Sequence, residues 1–170
     1  MRSFTNRMRC DMVSEYLGAQ ICLNGHVITS FLDKGEQPRS GYCEECGEST
    51  LIVCSDCSSS IRGNADGMYG VMERYVPPKF CYQCGKAYPW TERRLDAARE
   101  LAMELEGLQA SERQELADSI GDIVRDTPRT QVAALRFKRL AGMAAKGAGD
   151  ILWNLVVDVA SETAKKTMGM

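Results

Sequence analysis

Cys43-Glu44-Glu45-Cys46, Cys54-Ser55-Asp56-Cys57 and Cys81-Tyr82-Gln83-Cys84 repeat one spacing, and Cys22-Leu23-Asn24-Gly25-His26 adds a Cys-x-x-x-His pair. Two intervening residues let both sulfurs of a pair face one ion from a tight turn, and four thiolates or imidazoles complete a tetrahedral zinc shell. Cys22, His26, Cys43, Cys46, Cys54, Cys57, Cys81 and Cys84 are therefore the candidate metal ligands, enough for two zinc ions per chain. The chain has eight cysteines and one histidine in 170 residues, so Cys10 alone stands outside the pairs. It is the substitute ligand if His26 is a core residue instead.

An internal repeat suggests how the donors pair. Each half opens with a β-branched residue before its first ligand, Ile21-Cys22 and Val53-Cys54, and closes with aromatic-Cys-x-x-Cys-Gly, at Tyr42 to Gly47 and Phe80 to Gly85. The closing glycine suits a backbone that turns round a metal with positive φ. This favours two ribbons in series, with Cys22, His26, Cys43 and Cys46 on one ion and Cys54, Cys57, Cys81 and Cys84 on the other. The rival is a cross-brace that joins Cys22/His26 to Cys54/Cys57 and Cys43/Cys46 to Cys81/Cys84. Val27-Ile28 and Leu51-Ile52-Val53 supply strands for the hairpins, and Arg62 to Gly70 reads as a surface loop between knuckles.

Zinc here reads as a staple. Each ribbon has too few apolar residues for a core, and a structural zinc contributes an apparent ~10–16 kcal/mol that acts as folding free energy. A catalytic zinc keeps an open coordination position, whereas four full pairs leave none. The zinc-deaminase pattern needs His-x-Glu, and His26-Val27-Ile28 lacks the Glu. A thioredoxin-like dithiol needs a βαβ setting that these knuckles do not provide. With one histidine and no evident acid, base or nucleophile group, the expectation is a protein that is not an enzyme.

Compartment bears on the same point. Arg2, Arg7 and Arg9 are not followed by the apolar run of a secretory signal, so the expected location is the cytoplasm, where thiols stay reduced. The most apolar stretch, Ile151 to Ala160, contains Asn154 and Asp158 and is about half the length needed to span a bilayer; no membrane partner is expected.

Beyond residue 90 there is no cysteine, and a helical period takes over. Leu95, Ala98, Ala102, Leu105 and Leu108 keep three-to-four spacing in a first helix, with Thr91 as its cap and Trp90 stapling its entry. Ser111 to Gln114 reads as a capping box ahead of the stripe Leu116, Ile120, Ile123 and Val124. Thr127-Pro128 starts a third helix, Gly147 and Gly149 interrupt it, and Asp150 caps a fourth; the last two either form a hairpin or run on as one kinked rod. The expected class is α+β, two small zinc ribbons followed by an α-helical hairpin or bundle. The expected boundaries are an N-terminal extension at 1–20, a double ribbon at 21–90 and a helical domain at 91–170.

The net charge of −2 excludes a chain that coats nucleic acid by bulk electrostatics. It conceals a division, however. Residues 91–124 hold 4 Lys and Arg against 9 Asp and Glu, whereas residues 125–146 hold 6 against 1. Arg129, Arg136, Lys138, Arg139 and Lys146 make a candidate phosphate or nucleic-acid face, or else a solvated face that pairs with the acidic helices. The fourth helix is apolar on more than one side, which calls for burial by the chain itself or by a second subunit. Two function classes follow. The first is a non-enzymatic zinc-binding adaptor whose helical tail binds a protein partner or a second copy. The alternative is a nucleic-acid-binding regulator that uses the basic helix with the ribbons. Seven thiolates and two zinc ions bring the first ninety residues to about −4, which repels phosphates and favours the adaptor.

Cys22-Leu23-Asn24-Gly25-His26, the two Cys-x-x-Cys-Gly closings, Ile61-Arg62-Gly63 and Tyr88-Pro89-Trp90-Thr91-Glu92 together resemble a bacterial zinc-ribbon family described as a domain of unknown function. The resemblance covers most of residues 20–165. It implies zinc binding and a prokaryotic cytoplasmic setting, and it implies no reaction.

Overall fold

A computed structural model describes residues 16–32, 40–65, 75–145 and 147–169. Cys10 and Lys146 lie outside the described residues, as do the three N-terminal arginines and most of the glycine-rich segment that follows Ala65. The class is α+β: among the described residues an antiparallel sheet comes first and five helices follow. Contacts divide the chain into two compact units, one holding the residues up to Cys22 and His26–Pro78, the other Leu23–Gly25 and Lys79 onward.

In the first unit, β1 (Tyr16–Cys22) pairs antiparallel with β2 (Val27–Leu32), β3 (Thr50–Leu51) and β4 (Arg62–Ala65). The β1–β2 turn contains Cys22 and His26, and Cys22 N–H donates to the His26 carbonyl at 3.0 Å. Two strands depart from the sequence expectation. β1 starts at Tyr16, inside the stretch read as an extension, and Arg62–Ala65 is a strand where a loop was expected. β4 lacks the alternating apolar pattern that marks a strand, whereas β1 carries a short one at Leu17, Ala19 and Ile21. β4 reads Arg-Gly-Asn-Ala, and its place rests on Gly63: a Cβ there would sit 2.3 Å from the Ser30 carbonyl oxygen and 2.6 Å from that of Gly18. Only a residue without a side chain permits that approach.

The interior of this unit is thin. Ala19, Ile21 and Ile61 are its fully buried aliphatic residues among those described, beside buried Cys22, Cys43 and Cys54. Gln20 is also buried and satisfied: its amide donates to the Ser40 carbonyl and, at 2.8 Å, to Thr50 Oγ1.

The second unit is helical. α1 (Pro89–Glu104), α2 (Ala110–Val124), α3 (Thr130–Met143), α4 (Ala148–Val157) and α5 (Glu162–Met168) close around one hydrophobic cluster. Ala98, Ala102, Leu105, Leu108, Leu116, Ile120 and Ile123 belong to it as their spacing predicts, joined by Phe137, Leu140, Leu152, Val156 and Met168. The helix starts differ by a residue or more from expectation. Tyr88, not Thr91, is the N-cap of α1, with Pro89 at the first helical position; Thr91 lies inside the helix, where its hydroxyl donates to the Lys79 carbonyl at 3.0 Å. Gln109 caps α2, and Glu112 accepts from its backbone N–H at 2.9 Å. Thr127 and Pro128 form a turn ahead of α3, whose buried Thr130 accepts from Thr127 N–H at 2.9 Å. Gly147, at φ 100°, caps α4 in place of Asp150, which falls in the first turn.

α5 was not expected. Ser161 caps it by accepting from Ala164 N–H at 3.2 Å, and Gly169 ends it in the left-handed region. The segment is anchored from two directions: Ser161 N–H donates to the Ile123 carbonyl at 3.0 Å, and Lys79 Nζ donates to the Ala160 carbonyl at 2.6 Å. Burial, aided by the charge of Lys165, pushes the Lys79 amine below its usual pKa. No helix among the described residues is long and apolar enough to cross a membrane.

Candidate metal centres

The three Cys-x-x-Cys segments fold into one shape. In each, the carbonyl of the first cysteine accepts from the N–H four residues on, and its own N–H donates to the carbonyl five residues on. The pairs are Cys43 with Gly47 and Glu48, Cys54 with Ser58 and Ser59, and Cys81 with Gly85 and Lys86, all at 2.7–2.9 Å. A β-bridge closes each turn, Tyr42 to Ser49, Val53 to Ser60 and Phe80 to Ala87. The residue after the second cysteine takes positive φ every time: Gly47 at 71°, Ser58 at 59° and Gly85 at 72°. A Cβ at either glycine would meet open space, so backbone conformation alone accounts for glycine there.

Ser58 is consequently the strained member of the set, because a left-handed conformation costs an ordinary L-residue ~1–2 kcal/mol. Its side chain is exposed. Ser58→Gly is expected to stabilise the metal-loaded protein by ~0.5–1 kcal/mol, measured as a raised denaturant midpoint, and Gly85→Ala to lower it by a similar amount.

The knuckles bring the donor atoms together in series. Donors of Cys22, His26, Cys43 and Cys46 all lie within 4.8 Å of one another, as do those of Cys54, Cys57, Cys81 and Cys84. The cross-braced grouping is not formed. Each quartet has two buried donor residues, one half-buried and one exposed, and none of the seven described cysteines is in a disulfide.

The donor spacing tests the fit of a metal. With metal–sulfur and metal–nitrogen bonds of about 2.3 and 2.0–2.1 Å, the edges of a tetrahedron are about 3.8 Å between two sulfurs and about 3.5 Å between sulfur and nitrogen. Cys22 Sγ and Cys46 Sγ are 3.8 Å apart, and Cys43 Sγ and His26 Nδ1 are 3.5 Å apart. A disulfide would hold two sulfurs near 2.05 Å. Both quartets could hold a metal ion, the first with three thiolates and an imidazole, the second with four thiolates. Polar groups already face the sulfurs: His26 N–H donates to Cys22 Sγ at 3.2 Å, and Ser59 Oγ is 3.0 Å from Cys57 Sγ.

The chain belongs to a bacterial family. Its model, described as uncharacterized protein conserved in bacteria (DUF2321), matches residues 15–168 and so includes every donor of both quartets. No curated protein and no solved structure matches the chain.

The basic residues that the sequence singles out in this family member are largely engaged with α2. Arg136 Nε lies 2.6 Å from Glu115 Oε1, and an Arg139 nitrogen lies 3.6 Å from the other oxygen of the same carboxylate. Arg129 Nε lies 3.1 Å from Asp122 Oδ2. Lys138 is exposed. Arg125 stacks over Phe80, with its guanidinium 4.9 Å from the ring centroid.

α4 keeps Leu152 and Val156 fully buried, with Trp153 tilted against Phe137 at 5.7 Å between ring centroids. Trp153, Leu155 and Val157 are half-buried, so the chain covers one side of α4 fully and its flanks in part. What stays exposed is a row on one face of α3, where Val132, Leu135 and Met143 are each more than half exposed, together with Ile151 on α4. The three α3 residues share a face because spacings of three and four residues, through Arg139, follow the helical turn. Sequence reading missed this row. It attends to apolar periodicity, and α3 has a second, better buried stripe of Ala133, Ala134, Phe137, Leu140 and Ala141.

Proposed function

We propose that the protein is a non-enzymatic, cytoplasmic zinc-binding interaction protein. One structural zinc ion sits in each quartet, and the helical unit joins a second copy of the chain. The observation that carries this reading is the closure of the two quartets. Soft sulfur and imidazole donors at tetrahedral spacing suit zinc, and four protein donors per ion leave no corner for a substrate or an activated water. When zinc is bound its role is to hold distant turns together. The knuckles supply the turn, the His26 backbone N–H and the Ser59 hydroxyl support the thiolates they face, and a reducing compartment keeps those sulfurs available.

Self-association is supported by the exposed aliphatic row on α3, since large apolar residues in line on a helix face favour burial against a partner. The nucleic-acid alternative has less support. Glu115 and Asp122 already face Arg129, Arg136 and Arg139, and the metal-loaded thiolate module carries a negative charge that opposes phosphates.

Native mass spectrometry of the reduced protein tests both parts. The expected result is a dimer with two zinc ions per chain, and a Leu135→Glu variant that is monomeric while still carrying two. A metal-free chain sinks the zinc reading. A wild-type monomer sinks self-association, and a salt-sensitive, submicromolar complex with duplex or single-stranded probes, lost in Arg136→Glu/Arg139→Glu, favours the regulator instead.

A further inference from the structure

The two quartets have the same burial pattern but differ in one donor, and the single imidazole has a need that the thiolates do not share. A thiolate has one atom to offer. An imidazole has two nitrogens, and ligation through one leaves the other as an N–H that must be oriented.

In the first quartet both nitrogens have a neighbour. His26 Nδ1 points into the donor cluster, 3.5 Å from Cys43 Sγ. His26 Nε2 points outward and lies 3.6 Å from Glu45 Oε2. Glu45 occupies the second intervening position of Cys43-Glu44-Glu45-Cys46, so the two cysteines that flank it and the hydrogen bonds of the knuckle hold its backbone in place. The same positions in the other knuckles are Asp56 and Gln83, and the quartet they serve contains no histidine.

We propose that Glu45 is a positioning residue for the first metal centre. Its carboxylate faces the Nε2–H of His26, favours the tautomer that presents Nδ1 to the metal and restrains the ring plane. This rests on the zinc reading above and adds to it a difference between the centres: the first depends on an outer carboxylate, the second on thiolates alone.

Because His26 is the sole histidine, its imidazole resonances report the first centre without ambiguity. The full-length, zinc-loaded protein is compared with Glu45→Gln, which keeps the side-chain shape and removes the charge, and with Glu44→Gln, which removes the same charge from the same exposed turn. Two quantities are followed: zinc transfer to a chromophoric chelator, and the nitrogen-15 shifts of the His26 ring. Glu45→Gln is expected to weaken zinc binding at the first centre about 10-fold, the low end of the outer-shell range for a contact open to solvent. It is also expected to shift the Nε2 resonance while Nδ1 stays metal-bound. Glu44→Gln should leave both unchanged, and Glu45→Asp should recover part of the affinity. Equal effects of the two glutamine variants, or an unaltered Nε2 signal in Glu45→Gln, overturn the proposal while the zinc reading stands. A wild-type protein without zinc overturns both.

Discussion

Stripping metal from the reduced protein with a strong chelator is expected to abolish the β-sheet and the three knuckles while α1, α2 and α3 remain helical. The reason is the uneven distribution of apolar burial. Every member of the main hydrophobic cluster lies between Ala98 and Met168, whereas the sheet buries Ala19, Ile21 and Ile61 as its aliphatic interior. Ordering a residue costs ~1–2 kcal/mol of backbone entropy, and three small or branched side chains do not offset that over a whole sheet. Metal binding does, at an apparent ~10–16 kcal/mol per structural zinc. Hydrogen exchange followed by mass spectrometry checks the prediction: protection should vanish from residues 16–32 and 40–65 and from the knuckle at 81–87, persist in the helices, and return when zinc is restored. Retention of full protection in metal-free protein would mean that the sheet stands on its own contacts. Cys43→Ser should mimic the loss at the first quartet, because a hydroxyl is a poor replacement for a thiolate donor.

The second large effect is expected in the helical unit. Phe137 is fully buried on α3, with its ring against Trp153 and its neighbours drawn from the same cluster. Phe137→Ala should lower the stability of the zinc-loaded protein by ~3–5 kcal/mol through lost burial and the cavity left behind. For a chain of this length that corresponds to a fall of about 6–20 °C in the melting temperature. Zinc content measured on the same samples should stay at the wild-type value, since none of the eight donors lies beyond Cys84. A variant that loses zinc together with stability would show that the helices and the metal centres fold as one cooperative unit.

These two predictions also mark how far residue patterns reach in this protein. The Cys-x-x-Cys spacing states a geometric fit in plain sequence, because a turn of that length lets two sulfurs face one ion. The glycines after Cys46 and Cys84 add the backbone angle that the turn needs, and Ser58 shows the same angle imposed on a residue that gives no such signal. The stripes of α1 and α2 were likewise readable, since helical burial recurs every three to four residues. Helix starts were harder. Tyr88 and Gln109 are not among the residues usually preferred as caps; Tyr88 caps α1 without a side-chain hydrogen bond, and Gln109 caps α2 through a capping box with Glu112.

Local chemistry thus determined the candidate ligand set, the existence of the knuckles and the long helices, all properties of residues close together in the chain. The choice between the serial grouping, which the repeat favoured, and the cross-brace, together with the strand Arg62–Ala65, the facing of Glu45 toward His26 and the engagement of Arg136 with Glu115, was decided by folding in three dimensions. Each depends on which remote backbone or side chain comes to lie alongside. A strand such as Arg-Gly-Asn-Ala fits its place because the Ser30 and Gly18 carbonyls leave room for Gly63 and nothing larger, and the two turns that close each tetrahedron, which the internal repeat pairs in series, meet only in the folded chain.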